Sequence, residues 1–436
     1  VSVLDVNQAD RPQHLTADPR RLFDNIVSLY LLQGLNYLLP LAVLPYLVRV
    51  LGIETYGLVA VAQSFAQYFN ILTDYGFNFS ATRSIAQSKD QPGHISRIFC
   101  CVFLIKICLT AVGLILLVCV LLTVSRMRHD WPIFIYAFVG VVGNVLFPVW
   151  YFQGLERMRH ISIISGATKA LSAVLLFVFV HHSSDGTLAV AIQSLGMLLA
   201  GAIGFVVCTR SADLDFEWPR WHELRTCSAE GWHLFVSTAS ISLYSNTNVF
   251  LVGMLAGNVQ AGYFGAADRL VRASNGLLGP VTQAVFPYVS SLALRSPQAA
   301  LVFIARSLKW MSGLALLPVI AIFVFARPVT VLCFGHAAEG AVPVMRWIAL
   351  LPFLVAVTSV LGVLTMLTFG LDKQFSRILI AAGILNVAVA VPLISTFAAE
   401  GAGASVLLTE TFVTVMMGFI LRQRGINIRL WEKVAV

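Results

Sequence analysis

Residues 33–83 read QGLNYLLPLAVLPYLVRVLGIETYGLVAVAQSFAQYFNILTDYGFNFSATR. Two apolar runs meet at Arg49-Val50-Leu51-Gly52-Ile53-Glu54-Thr55-Tyr56-Gly57, so the stretch predicts a helical hairpin of membrane-spanning length. In the second arm Gln63, Gln67, Asn70, Asp74 and Asn78 recur at helical spacing and share one face. Phe65, Phe69, Leu72, Gly76 and Phe79 share another. Hydrocarbon offers amides and carboxylates no hydrogen-bond partner, so such a row has to meet protein or water. The arm therefore predicts the wall of a wet cavity, and the rest of the chain is read around it.

Composition agrees with a membrane setting. Hydrophobic residues make up 58% of the chain and charged ones 11%, with a mean hydropathy of +0.83; a soluble domain carries about a quarter charged residues. The net charge of +8 is spread over many loops, which points to membrane orientation and away from nucleic acid. The polar first two dozen residues predict a cytoplasmic tail without a cleavable secretory signal. The seven cysteines lie mostly in apolar runs without metal-ligand spacing and read as buried small hydrophobes.

About twelve segments reach spanning length, near 25–48, 57–79, 98–122, 132–152, 161–181, 187–208, 233–256, 262–288, 299–325, 342–369, 377–397 and 401–421. Arg83, Lys89, Arg97, Arg157, Arg210, Arg220, Arg295, Arg306, Lys373 and Arg422 fall on one side, against Arg49, Arg126, Arg128 and Arg327 on the other, which places both ends in the cytoplasm. The expected organisation is an all-α protein: tail 1–24, first lobe 25–208, cytoplasmic linker 209–232, second lobe 233–421 and tail 422–436. Trp218, Pro219 and Trp221 among the linker charges predict a short helix on the membrane surface.

The lobes read as a parallel repeat around a central cavity. Gly52-x4-Gly57 is matched by Gly257-x4-Gly262, a register that sets Gln63, Gln67 and Asn70 on Asp268, Arg272 and Asn275. Gly154-Leu155-Glu156-Arg157 is echoed by Gly370-Leu371-Asp372-Lys373, and Asp185-Gly186 by Glu400-Gly401. Pro40 and Pro45 in the first span, and Pro280 and Pro287 with Gly276 and Gly279 in the eighth, predict kinks or flexing points.

Charges inside spans cost about 2.5–3.5 kcal/mol each. They are Asp74, Lys106, Lys169, Asp268, Arg269, Arg272, Lys309 and Glu410, with bases in excess, as a lumen for an anionic cargo would have. Each has a second reading. Lys106, Lys169 and Lys309 can snorkel to an interface, Asp268 and Arg272 can pair along one helix, and Arg269 can anchor an outer surface. Asp74 can cap its helix or pair with Arg83, and Glu410 can be a proton site or a satisfied interhelical group. There is no Walker A motif, HExxH, Cys/His cluster or nucleophile setting, so neither an enzyme nor a cofactor or metal is expected.

The run NYLLPLAVLPYLVRVLGIETYGLVAVAQSFAQYFNILTDYGFNFSATRSIA resembles the amino-terminal signature of polysaccharide-transporter flippases, O-antigen flippases above all, within the multidrug/oligosaccharidyl-lipid/polysaccharide exporter superfamily. Its pattern maps onto Pro40, Pro45, Gly52, Tyr56, Gly57, Asp74, Gly76 and Arg83. The resemblance implies two lobes around a V-shaped cavity in a bacterial inner membrane. It implies an undecaprenyl-pyrophosphate-linked oligosaccharide as cargo, moved to the periplasmic leaflet by alternating access, with proton or sodium coupling and neighbouring polymerase or glycosyltransferase partners. On that reading the pyrophosphate meets Arg83, Lys106, Lys309 or Arg272, and the sugars lie on Gln63, Gln67, Asn70, Asn78 and Asn275. Asp74, Asp268 or Glu410 takes the cation. A drug or small-cation exporter is the alternative; a polymerase or ligase would need a large outer loop, which this sequence lacks.

Overall fold

The structure is a computed structural model that describes residues 19–88, 91–211, 218–275 and 279–426. Among these residues there is helix and no strand. The helices are α1 (Pro19–Asp74), α2 (Phe77–Gln87), α3 (Pro92–Thr123), α4 (Ser125–His129), α5 (Trp131–Leu146), α6 (Val149–Gly154), α7 (Met158–Phe179) and α8 (Gly186–Ser211). The second half holds α9 (Trp221–Ala256), α10 (Asn258–Asn275), α11 (Gly279–Arg295), α12 (Pro297–Phe334), α13 (Ala341–Ile348), α14 (Leu351–Thr358), a π-helical run Ser359–Leu367, and α15 (Asp372–Gln423). Among the described residues, eight helices are long and apolar enough to cross a membrane. The described parts of the segments expected to span fall largely on helix, and two of the longest helices fold back on themselves: α1 at Gly52 and α15 at Ala398.

Local signals explain several boundaries. Proline occupies the first turn of α3, α5 and α12, where its missing N–H costs nothing. The Ser296 hydroxyl caps α12 by accepting from Ala299 N at 3.3 Å. Pro40 and Pro45 do not interrupt the first span: α1 runs through both, and its non-helical residue is Gly52. Gly276 and the side chains of Pro280 and Pro287 lie outside the described residues. The expected surface helix of the linker is instead the start of α9, which continues unbroken from Trp221.

The second arm of the hairpin is shorter than its polar stripe. Tyr75 (φ 43°) and Gly76 (φ 77°) both take left-handed backbone and end α1 at Asp74. Asn78 therefore sits on α2, apart from the wall it was expected to extend. The cysteines also divide. Cys101 and Cys208 are buried, but Cys108 and Cys119 are exposed on α3, because an apolar face suits lipid as well as a core.

The first lobe gathers α1, α3, α5, α7 and α8; the second gathers α9, α10 and α12 to α15. Within the first, α5 and α8 approach closely where Gly143 faces Leu198 and Gly201, the small-residue contact that brings membrane helices together. Between the lobes, the second arm of α1 packs on α9 and α10. Ser64 donates to the Asn246 carbonyl at 2.7 Å, and Phe65 stacks on Phe250 with ring centroids 5.3 Å apart.

The repeat is visible as conformation. Gly52 (φ 75°, ψ 164°) and Gly257 (φ 103°, ψ 167°) take the same left-handed bend at equivalent places. Their partners touch reciprocally: a Cβ on Gly57 would strike the Asn258 carbonyl, and one on Gly262 would strike the Ile53 carbonyl. Position 53 is the repeat counterpart of 258 and 57 of 262, so the two hairpin turns cross on the pseudo-two-fold axis. Two arginines of the first lobe clasp the second on this same hairpin face. Arg49 donates to the Leu332 carbonyl, and Arg126 Nη1 to the Met254 carbonyl at 3.1 Å. Both carbonyls lie near helix C-termini, where a cation is favoured.

One hydrophobic core crosses the lobe boundary near the hairpin face, joining Leu51, Tyr56 and Val59 to Val252, Phe264, Met345 and Ile348. Toward the linker face the cores separate. Phe77, Phe99 and Trp150 belong to one, Met366 and Met417 to another, and Val289 and Ile304 to a third. The first turns of α9 lean on the first lobe there, with Tyr75 stacked on Phe235 at 5.1 Å. The hairpin face is thus closed by apolar packing and two hydrogen-bonded arginines. Replacing Arg49 and Arg126 together by glutamine removes about 0.5–1.5 kcal/mol per bond. The expected result is several-fold faster labelling of a cysteine at Ile53 (Ile53→Cys) by an impermeant maleimide, with helix content unchanged.

Candidate functional site

Two hollows are lined mainly by the first lobe. One of about 390 Å³ is lined by Gln63, Gln67, Asn70 and Asp74 of α1, by Asn144 of α5 and by Gln193 of α8. The polar stripe is a cavity wall over these four positions. The second, also about 390 Å³, lies between the first arm of α1 and helices α7 and α8. Its polar lining is Ser165, Thr168, Lys169 and Ser172 of α7, with Asn144, Gln193 and Arg269. The hollows share Asn144, Gln193 and Met197, so an amide pair stands between them.

Within the first hollow, the Lys106 ammonium donates to Asp74 Oδ1 at 3.1 Å, and Asn144 Nδ2 reaches the same oxygen at 3.4 Å. The Lys106 side chain is 2% exposed and that of Asp74 26%, so Lys106 neither snorkels nor faces the lumen. Asp74 pairs with Lys106 and not with Arg83. Asn70 Nδ2 donates to Gln67 Oε1 at 3.3 Å, and the buried Asn70 carbonyl oxygen has no partner among the described residues.

Gln63 joins the lobes. Its Nε2 donates to Gln193 Oε1 at 2.9 Å, and its Oε1 accepts from Arg269 Nη2 of α10. The Arg269 guanidinium carbon lies 5.8 Å from the centroid of the buried Tyr56 ring. Arg269 therefore faces the lobe junction rather than an outer surface, and among the described residues it is the one from the second half that lines the second hollow. One turn on, Arg272 Nε meets both oxygens of Asp268 at 2.7 Å, the pairing along one helix that the spacing allowed. Glu410 of α15 lines neither hollow.

The remaining sequence candidates are dispersed. Arg83 is exposed on α2 and Lys309 on α12, and neither lines these hollows. The Asn275 side chain lies outside the described residues. Sequence reasoning missed the hydroxyl ladder Ser165, Thr168 and Ser172, although its spacing of three and four marks one helix face. It also missed a buried polar set in the second lobe. There Asn386 Nδ2 donates to Thr409 Oγ1 at 3.1 Å and Ser405 Oγ to Asn248 Oδ1 at 3.3 Å.

Chemically, the second hollow presents hydroxyls, amides and two cations, Lys169 and Arg269, with no carboxylate among its described lining residues. Such a lining accepts an anion carrying hydroxyl-rich groups. A family model described as "Polysaccharide biosynthesis protein" matches residues 22–293. A protein of Escherichia coli (strain K12) named "Putative O-antigen transporter" is 36% identical over 399 residues, covering 91% of this chain and 96% of its own length. A protein of the same name from Shigella dysenteriae is 31% identical, covering 90% and 98%. Among solved structures, an inward-facing MATE family multidrug transporter of the MOP superfamily superposes with a TM-score of 0.71 at 16% identity, over 93% of this chain and 96% of that one. The lipid II flippase MurJ superposes with a TM-score of 0.67 at 10% identity, over 92% and 87%.

Proposed function

This chain belongs to the polysaccharide biosynthesis protein family, and on that premise we propose that it flips an undecaprenyl-pyrophosphate-linked oligosaccharide across the bacterial inner membrane. The observation that carries the reading is the second hollow, with Lys169 and Arg269 beside a ladder of hydroxyls and amides. The pyrophosphate meets these two cations. The sugars lie along Ser165, Thr168 and Ser172 and reach the wall of Gln63, Gln67 and Asn70. The polyprenyl chain stays in lipid.

With both termini cytoplasmic, the closed hairpin face is periplasmic, and cargo enters from the cytoplasmic leaflet. Rocking of the lobes then exchanges the closed face. Asp74, held by Lys106, the Asp268–Arg272 pair and Glu410 are where a proton or sodium ion would act. Arg83 and Lys309 serve orientation and lipid contact.

Lys169→Ala with Arg269→Ala is expected to abolish complementation of a flippase-null strain while membrane insertion persists. The undecaprenyl-linked intermediate then accumulates on the inner leaflet. Lys309→Ala is expected to complement. Full complementation by the Lys169/Arg269 pair rejects the anion site, and a drug-resistance phenotype without a glycolipid phenotype moves the reading to drug export.

A further inference from the structure

The side chain that reaches from the second lobe into the second hollow is held by a neutral partner. Arg269 bonds to the Gln63 carbonyl oxygen, and Gln63 is itself fixed by its bond to Gln193. Gln193 lines both hollows. This chain of three side chains thus links α8, α1 and α10, and it lies next to the place where the two lobes share a core. Asp268, the repeat counterpart of Gln63, holds the neighbouring Arg272 with a carboxylate. The two arginines of α10 therefore have unequal partners, one charged and one neutral.

The inequality decides which arginine responds to an anion. A guanidinium bonded to phosphate oxygens gains a charge-assisted, forked contact about twice as strong as one to a neutral amide. Arg272 would have to leave a carboxylate 2.7 Å away, which offers no such gain. Arg269 leaves an amide oxygen and the face of the Tyr56 ring, neither of them charged, and it already lines the hollow. We infer that Gln63 is a positioning residue for Arg269: it holds the guanidinium over the empty hollow and yields it to the phosphate of the cargo, so that cargo binding breaks a hydrogen bond between the lobes. The inference rests on the anion site proposed above and adds the event that follows its filling. It concerns the partner Arg269 gives up, since any contact between Arg269 and cargo belongs to the earlier reading.

The test uses the full-length protein in nanodiscs, with inorganic pyrophosphate as the probe. Gln63→Glu gives Arg269 a charged partner like that of Arg272. It is expected to weaken pyrophosphate binding by about tenfold or more and to stop flipping. Gln63→Leu removes the tie. It is expected to bind pyrophosphate at least as well as wild type and, without any anion, to lengthen the distance between spin labels at Arg128→Cys and His336→Cys in a cysteine-free background. In the Gln63-containing protein the same lengthening should require pyrophosphate. A Gln63→Glu protein that folds and binds pyrophosphate like wild type overturns the inference and leaves the anion site standing. A Gln63→Leu protein whose label distance stays at the wild-type value also overturns it. A wild-type protein that binds no pyrophosphate overturns both.

Discussion

Gly57→Ala is expected to lose transport and to unfold at a lower temperature in detergent. The added methyl meets the Asn258 carbonyl, with the Gly262 amide nitrogen 2.8 Å away. Both are main chain, so no side chain can swing aside. Overpacking costs about 1–3 kcal/mol where neighbours can move, and here the hairpin turns must part instead. Gly262→Ala strikes the Ile53 carbonyl from the other lobe and should behave alike. Gly313→Ala is the control, because nothing lies within 4 Å of its added carbon. Thermal unfolding followed by fluorescence, beside a flipping assay, decides the matter. A Gly57→Ala protein as stable and active as wild type would mean that the turns do not cross as described.

Lys106→Ala is expected to destabilise the first lobe strongly. It leaves the Asp74 carboxylate without its ion-pair partner, the Asn144 amide remaining at 3.4 Å. Removing one partner of a buried ion pair costs about 3–5 kcal/mol, whereas replacing both by neutral residues is often close to neutral. Asp74→Asn with Lys106→Met should therefore recover most of the stability that Lys106→Ala loses. Transport by the double variant then separates two roles. A stable protein that no longer flips identifies the pair with coupling, and a stable protein that flips identifies it as a strut. Equal unfolding temperatures for wild type and Lys106→Ala would contradict the buried pair itself.

Much of the architecture could be read from residue patterns, and the reasons are local. The hairpin at Gly52, its repeat at Gly257 and the wall from Gln63 to Asp74 depend on spacing within one helix or on one shared offset. What escaped depends on which helix faces which. Asp74 and Lys106 are 32 positions apart, and no spacing rule joins them. Arg269 was read toward an outer surface because periodicity gives the angle between side chains on α10 but not the direction of the other lobe. Asn78 was lost from the wall through Tyr75, a residue type that gives no sign of left-handed backbone. Lys169 was noticed only as a charge, although the hydroxyls around it on α7 mark the same face.

The apolar core that runs across both lobes at the hairpin face sets how the empty carrier idles. Parting it exposes nonpolar surface to water, at about 2.5 kcal/mol for each 100 Å². On the proposed transport cycle, that cost would keep this side shut between turnovers. Each opening would then have to be driven, and the driving energy would be set by greasy contact area, which is blind to the proposed cargo.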